Sequence, residues 1–225
     1  MTRAPKRPPR RRTQAERKGD TIGKLLDATV AALSEVGYTR TTVQEVSSRA
    51  GVSVGGLFRH FASRLDLLIA AAEHVRMRQF AAFRAGLEQL ATISVLDCLR
   101  LLRAGCRAPI NTAWYELLGA ARSDAALRAR LAPVAARYHA EIAALGRSLP
   151  IAGEIAPALV DTVLFTMVHV LDGEALSAVV HAQPEQEELR LELLAEMVAR
   201  AQATPRTAPR RAAPRRTARR ATIAA

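Results

Sequence analysis

Aromatic side chains are scarce: Phe, Trp and Tyr together make up 4% of the 225 residues. Stretches in which β-branched and polar residues strictly alternate are missing, which removes the pattern of a half-buried sheet. Cysteine is limited to Cys98 and Cys106. On a helix these lie about 12 Å apart at roughly 1.5 Å rise per residue, too far for a disulfide. They fit small core residues in a reducing compartment, and two thiols alone do not make a metal site. No stretch approaches the roughly 18 apolar residues of a membrane span. The apolar segment from Ile22 to Val36 is interrupted by Lys24, Asp27 and Glu35, so neither a secretory leader nor a membrane partner is expected.

Acidic residues are nearly absent from both ends. Residues 1–19 carry eight Lys or Arg and one acid, Glu16, while residues 203–225 carry seven Arg and no acid. The stretch between keeps 18 basic and 20 acidic groups, so the formal net charge of +12 belongs to the ends. Two basic, Pro-rich ends read as disordered arms suited to a polyanion, or else as solvated tails of no specific use.

What the sequence does have is helix: Ala, Leu, Arg and Glu are plentiful, and apolar residues recur at helical spacing. Asp20 or Thr21 can cap a first helix whose apolar face is Ile22, Leu25, Leu26, Val30, Leu33 and Val36, with Gly37 as its stop. Thr42 and Glu45 form a capping box for a second helix that ends at Gly51. Ser53 can cap a third helix through His60, and Ser63 a fourth to about Leu90. Helices are expected at 94–107 and 110–122, parted by Pro109. A longer one at 124–149 should kink at Pro133. Two more follow, from Pro157 to about His181 and from Pro184 to about Gln202.

Two short helices joined by Gly51-Val52-Ser53 make a helix-turn-helix pattern. The glycine turns the chain, Val52 fills the gap between the helices, and Ser53 caps the second. The start of that second helix can then enter a major groove while the first crosses the backbone. The fuller string Thr42-Val43-Gln44-Glu45-Val46-Ser47-Ser48-Arg49-Ala50-Gly51-Val52-Ser53-Val54-Gly55-Gly56-Leu57-Phe58-Arg59-His60-Phe61, with Ser63-Arg64-Leu65-Asp66-Leu67-Leu68 after it and a Gly37-Tyr38 exit before it, resembles the TetR family of bacterial repressors. The match covers about Asp20 to Gln79.

The resemblance implies an all-α fold: an N-terminal three-helix helix-turn-helix domain followed by a larger helical ligand-binding and dimerisation domain. The expected divisions are a basic arm at 1–19, a DNA-binding domain at 20–79 that includes the start of a linker helix, a ligand and dimer domain at 80–202, and a tail at 203–225. It also implies roles. Thr42 would cap its helix and meet a phosphate, and Gln44 would face base edges. Ser53, Val54, Gly55 and Gly56 would line the groove floor. Phe58, His60 and Arg64 stand at phosphate-contact positions, with Arg59 beside them. Phe58 replaces the family's usual tyrosine and so lacks a hydroxyl; it fits the core as well as the DNA face. Gly56 stands where a small side chain is common.

The family layout places a dimer interface on the last two helices, through Val160, Leu164, Met167, Leu171, Leu189, Leu193 and Met197. It places a pocket for a small apolar or amphipathic ligand among the middle helices, with Met77, Phe80, Phe83, Trp114, Tyr115, Phe165 and His169 as candidate lining; each also fits plain core. The expected partners are a palindromic double-stranded DNA operator and a second copy of the chain, in the cytoplasm at the nucleoid. A non-specific DNA binder driven by the Arg-rich ends is the alternative. Asp172 and Glu174 lie close together, but no base, nucleophile or metal cluster accompanies them. No catalytic residue, metal or cofactor is therefore expected.

Overall fold

A computed structural model describes residues 13–203. The basic arm up to residue 12 and the tail from residue 204 lie outside the described residues. Within them the chain is helical without a strand: α1 Gln14–Arg40, α2 Val43–Ala50, α3 Val54–Phe58, α4 Arg64–Glu88, α5 Val95–Cys106, α6 Pro109–Ala121, α7 Ala125–Ser148, α8 Val160–Ala178 and α9 Pro184–Ala203, with a 3-10 turn at Pro150–Glu154 before α8.

Helix α1 begins seven residues before Thr21. Thr13 caps it, its side chain accepting from the Glu16 N–H while the Glu16 carboxylate accepts from the Thr13 N–H at 2.7 Å. Residues 14–19, expected within a disordered arm, are thus helical, because a capping box stabilises a first turn whatever its overall charge. Every residue from Thr13 to Asp20 is exposed, so this start stands free of the core. Gly37 breaks α1 near its end with φ +79°, a backbone state that glycine alone adopts at little cost. Pro133 sits inside α7 without ending it, its ring on the solvent side. The break between α5 and α6 falls at 107–108, with Pro109 in the first turn of α6, and α8 starts at Val160, after Pro157.

Three apolar clusters organise the chain. Leu25, Ala32, Val46, Leu57, Phe61 and Leu67 join α1–α3 to the first turns of α4. Leu33, Leu68, Val75, Trp114, Leu117, Leu127 and Val134 join α1 and α4 to α6 and α7. Leu99, Met167, Leu171, Leu191, Leu194 and Val198 join α5 to α8 and α9. Helix α4 belongs to the first two clusters, so the small N-terminal unit is built on a helix that continues into the larger one.

Candidate nucleic-acid interface and interior cavity

The N-terminal unit presents the starts of two short helices. Thr42 caps α2, accepting from the Glu45 N–H at 3.1 Å. Glu45 does not reach back to close the expected box; its carboxylate pairs with Arg49 at 2.6 Å, one turn on. Gly51 ends α2 at φ +63°, ψ +33°. Ser53 caps α3, accepting from the Gly56 N–H at 3.1 Å. That third helix is only five residues long and stops before His60. Between them, Val46 and Leu57 are wholly buried.

This frame leaves Thr42, Gln44, Ser53, Val54, Gly55, Phe58 and Arg59 exposed on one end of the molecule. Phe58 is 48% exposed, so it stands on the surface, not in the core. His60 is half-buried, and its Nδ1 is enclosed without a partner. Two of the expected groove or phosphate residues, Gly56 and Arg64, also have partners within the protein. Gly56 faces inward: a Cβ there would lie 3.0 Å from Val52 Cγ1 and 3.1 Å from Ser53 Oγ. A side chain at this position would therefore crowd the turn between α2 and α3. Arg64 turns back onto α1, donating to the Thr41 carbonyl at 2.7 Å and to the Tyr38 carbonyl, with its guanidinium 4.5 Å from the Tyr38 ring centre. It holds the end of α1 against α4.

The same end of α1 is tied to the larger unit. Tyr38 donates its hydroxyl to Asp124 at 2.7 Å and its backbone N–H to Glu116 at 3.0 Å. Burial, and then the bond to Asp124, push the Tyr38 phenol above its usual range. Asp124 is held below its usual range, first by the Leu127 N–H that it caps and then by Tyr38.

In the larger unit α4, α5, α7 and α8 form most of the wall of an apolar cavity of about 160 Å³. Of the seven candidate lining residues Phe80 and Phe83 border it and the other five do not. Met77 is on the surface and Trp114 is buried in the core beneath, packed on Tyr138 at 5.2 Å. Tyr115 sits behind the wall, its hydroxyl bonded to the lining residue Asp172. Phe165 and His169 lie on the outer side of α8, grouped with His139 at ring distances of 5.3 and 6.4 Å.

The expected interface on α8 is displaced in the complementary sense. Val160, Leu164 and Met167 line the cavity, and Leu171 is wholly buried within the protomer. Helix α8 is apolar on nearly every side, so spacing alone does not tell which side faces in. On α9 the expected stripe does face outward: Leu189, Leu193 and Met197 are 56%, 57% and 44% exposed. Leu176, Val179 and Val180 at the end of α8 are also exposed. Behind them Glu174 is buried between Arg107, at 2.8 Å, and Arg190. Glu187 binds Arg107 at 2.7 Å, so α5, α8 and α9 are joined by paired charges. No group of three or more His, Cys, Asp or Glu among the described residues could hold a metal, and no described helix is long and apolar enough to cross a membrane.

A helix-turn-helix head on a larger helical body defines the class, and comparison with known proteins gives the family. Residues 25–71 match the model of bacterial regulatory proteins of the tetR family. An uncharacterized HTH-type transcriptional regulator of Mycobacterium tuberculosis is 36% identical over 192 residues, covering 83% of this chain and 97% of that one. The HTH-type transcriptional repressor KstR of the same organism is 35% identical over 78 residues, 35% of this chain and 34% of its own. The crystal structure of a TetR-family regulator from Rhodococcus sp. superposes with a TM-score of 0.59 at 26% identity, over 82% of this chain and 97% of that one. The chain belongs to the TetR family and is a DNA-binding transcriptional regulator, not an enzyme.

Proposed function

We propose that this regulator is a homodimeric repressor that holds a palindromic operator and lets go when a small apolar or amphipathic molecule enters the α4–α8 cavity. Helix α4 is the observation that carries this reading. Its first turns give Leu67 to the core of the DNA-binding head, and its other end gives Phe80 and Phe83 to the cavity wall. A rigid helix shared by two sites can be biased from either one. Movement at the Phe83 end is felt at Arg64, which grips the carbonyls at the end of α1. The Tyr38 bonds to Glu116 and Asp124 give α6 and α7 a second hold on the same place.

On the DNA side, Thr42 and Ser53 offer hydroxyls whose lone pairs cap their own helices, leaving O–H donors for phosphate. Gln44 and Val54 face base edges, a glutamine being matched to adenine and a valine to a thymine methyl. Arg59 adds a charge, and Phe58 an apolar contact. Dimerisation uses the outer faces of α8 and α9, through Phe165, His169 and Leu176 on one and Leu189, Leu193 and Met197 on the other, with Val179 and Val180 just past the end of α8. The boundary at 79–80 falls within α4, so the two domains share that helix.

Two heads related by a twofold axis read an inverted repeat. Selection from random-sequence DNA is expected to return half-sites centred about 34–36 Å apart or a multiple of that. Recovery of no repeat, with equal affinity for random DNA, would instead describe a non-specific binder.

A further inference from the structure

The cavity is apolar apart from a few side chains, among them Gln79, Asn111 and Asp172. Tyr115 donates its hydroxyl to Asp172 Oδ1 at 2.6 Å and accepts from Asn111 Nδ2 at 2.9 Å. Asn111 Nδ2 also donates to the Cys106 carbonyl at 3.1 Å, and Asn111 Oδ1 accepts from Gln79 Nε2. Asn111 thus has both amide donors and its oxygen engaged. Gln79 is left with Oε1 enclosed and without a partner. Gln79, Asn111 and Asp172 all line the cavity, so one chain of hydrogen bonds ends in an orphaned acceptor at one side and a carboxylate at the other.

Asp172 differs from the carboxylates near it. Glu174 and Glu187, both buried, are each paired with arginine. Asp172 makes no ion pair among the described residues, and no Lys, Arg or His lines the cavity. A carboxylate bordering an apolar space without a counter-charge is costly to keep. The groups around it cannot supply that charge. Burial, and then Asp172 itself, push the Cys106 thiol far up. Burial and the bond to Asp172 do the same to the Tyr115 phenol. Both remain neutral donors. The aromatic rings of Phe80, Phe83 and Tyr138 complete the wall, and ring faces attract a cation. At about 160 Å³ the space is close to the roughly 150 Å³ cavity known to hold benzene, enough for a single ring with a short chain.

We propose that the cavity takes a small aryl or alkyl monoamine, its ammonium group held by Asp172 and Gln79 Oε1 and its apolar body by Phe80, Phe83 and Leu164. This rests on reading the cavity as the effector site. The same residues disfavour an anionic effector, whose carboxylate would meet Asp172 with no cation to separate them.

Three probes of nearly equal size separate head-group chemistry from apolar fit: phenethylamine, 2-phenylethanol and phenylacetate. Titration calorimetry on the full chain is expected to show phenethylamine bound at least about tenfold tighter than 2-phenylethanol, as a charge-assisted hydrogen bond exceeds a neutral one. Phenylacetate should give no binding. Asp172→Asn should weaken phenethylamine by at least about tenfold while leaving 2-phenylethanol within about threefold, which also reports that the cavity remains folded. Gln79→Met, which removes the orphaned acceptor without adding charge, should weaken both donors. Release of selected operator DNA, followed by anisotropy, is measured with the same probes. If phenylacetate or 2-phenylethanol binds as tightly as the amine and releases operator, the effector reading stands and the monoamine assignment fails. If the amine binds in an Asp172-dependent way without releasing operator, the assignment stands and the effector reading fails. No binding of the amine, or binding indifferent to Asp172→Asn, overturns the assignment.

Discussion

Charging the exposed stripe of α9 should separate the protomers without unfolding them. Leu189, Leu193 and Met197 are about half exposed in the isolated chain, at 56%, 57% and 44%. Fully burying a Leu or Met side chain contributes about 1.5–3 kcal/mol, so each has about 1 kcal/mol still to gain from a partner. Leu176, Val179 and Val180, exposed at 50%, 83% and 92%, have as much or more. Six such side chains on each of two protomers give a gross gain on the order of 15 kcal/mol, which exceeds the middle of the estimated range for the cost of association. Leu193→Glu with Met197→Glu removes about 2 kcal/mol per protomer, or about 4 kcal/mol per dimer, before any charge effect. It also brings four carboxylates near the twofold axis, a further cost. At 1.4 kcal/mol per tenfold, the dimer should weaken by at least about a thousandfold. Sedimentation velocity over a concentration series reads this directly, and operator affinity should fall with it. Since both side chains are exposed in the protomer, the circular dichroism melt of the separated chain should remain cooperative. A double variant that sediments as a dimer with unchanged affinity would refute the assignment of this face.

Four further outcomes are expected. Gln44→Ala should narrow the ratio of operator to random-DNA affinity by about 1–3 kcal/mol and leave the salt dependence alone. Removing residues 1–12 and 204–225 should do the reverse, lowering the log–log salt slope by about 3–4 per chain if about four of their charges meet phosphate; filter binding across a salt series distinguishes the two. Gly37→Ala forces an L-residue to φ +79° and places a Cβ 3.2 Å from Glu116 Oε2, so it should cost about 2 kcal/mol, seen as a lower urea midpoint. Asp66 is held below its ordinary value of 3.8 by the Ser63 hydroxyl and then Arg130, and Asp124 by the Leu127 N–H and then Tyr38. Their contribution is therefore complete above that value and is lost as pH falls through the lower folded one; Asp124→Asn should flatten this part of a urea-midpoint profile between about pH 5 and pH 2.

The parts of the fold that were legible in the sequence are those fixed by local backbone demands. Thr42, Ser53, Ser63 and Gly51 each satisfy or end a helix by themselves, so the head could be read residue by residue. The start of α1 was also written locally, in Thr13 and Glu16, but a basic, Pro-rich setting hid it. Arg64 could not be read this way, because its partners at Tyr38 and Thr41 are brought to it only by tertiary packing. Helix α8 failed for another reason. With apolar residues on nearly all sides, its cavity-facing Leu164 and its outward Phe165 are adjacent in sequence and alike in hydropathy, and only the neighbours decide between them. Gln79, Asn111 and Asp172 come from three helices and look like solvent-facing positions until those helices meet.

The charges of the head bear on how affinity and specificity divide. Residues 20–66 hold five basic side chains, and the structure engages three of them internally. Arg49 pairs with Glu35 and Glu45, Arg40 donates to the Val36 carbonyl, and Arg64 clasps the end of α1. Lys24 and Arg59 make no ion pair among the described residues, and two charges per head are a weak hold on a phosphate backbone. Arg17 and Lys18, on the exposed first turns of α1, are a further supply, and the thirteen basic residues outside the described range are the largest. Phosphate contacts carry no sequence information, so on the function proposed above, with Gln44 and Val54 at base edges and the basic ends at phosphates, the two properties fall on separate residues. Such a protein can lose its arms and still recognise its site, at lower salt, whereas loss of Gln44 leaves it bound to DNA but less able to tell one sequence from another.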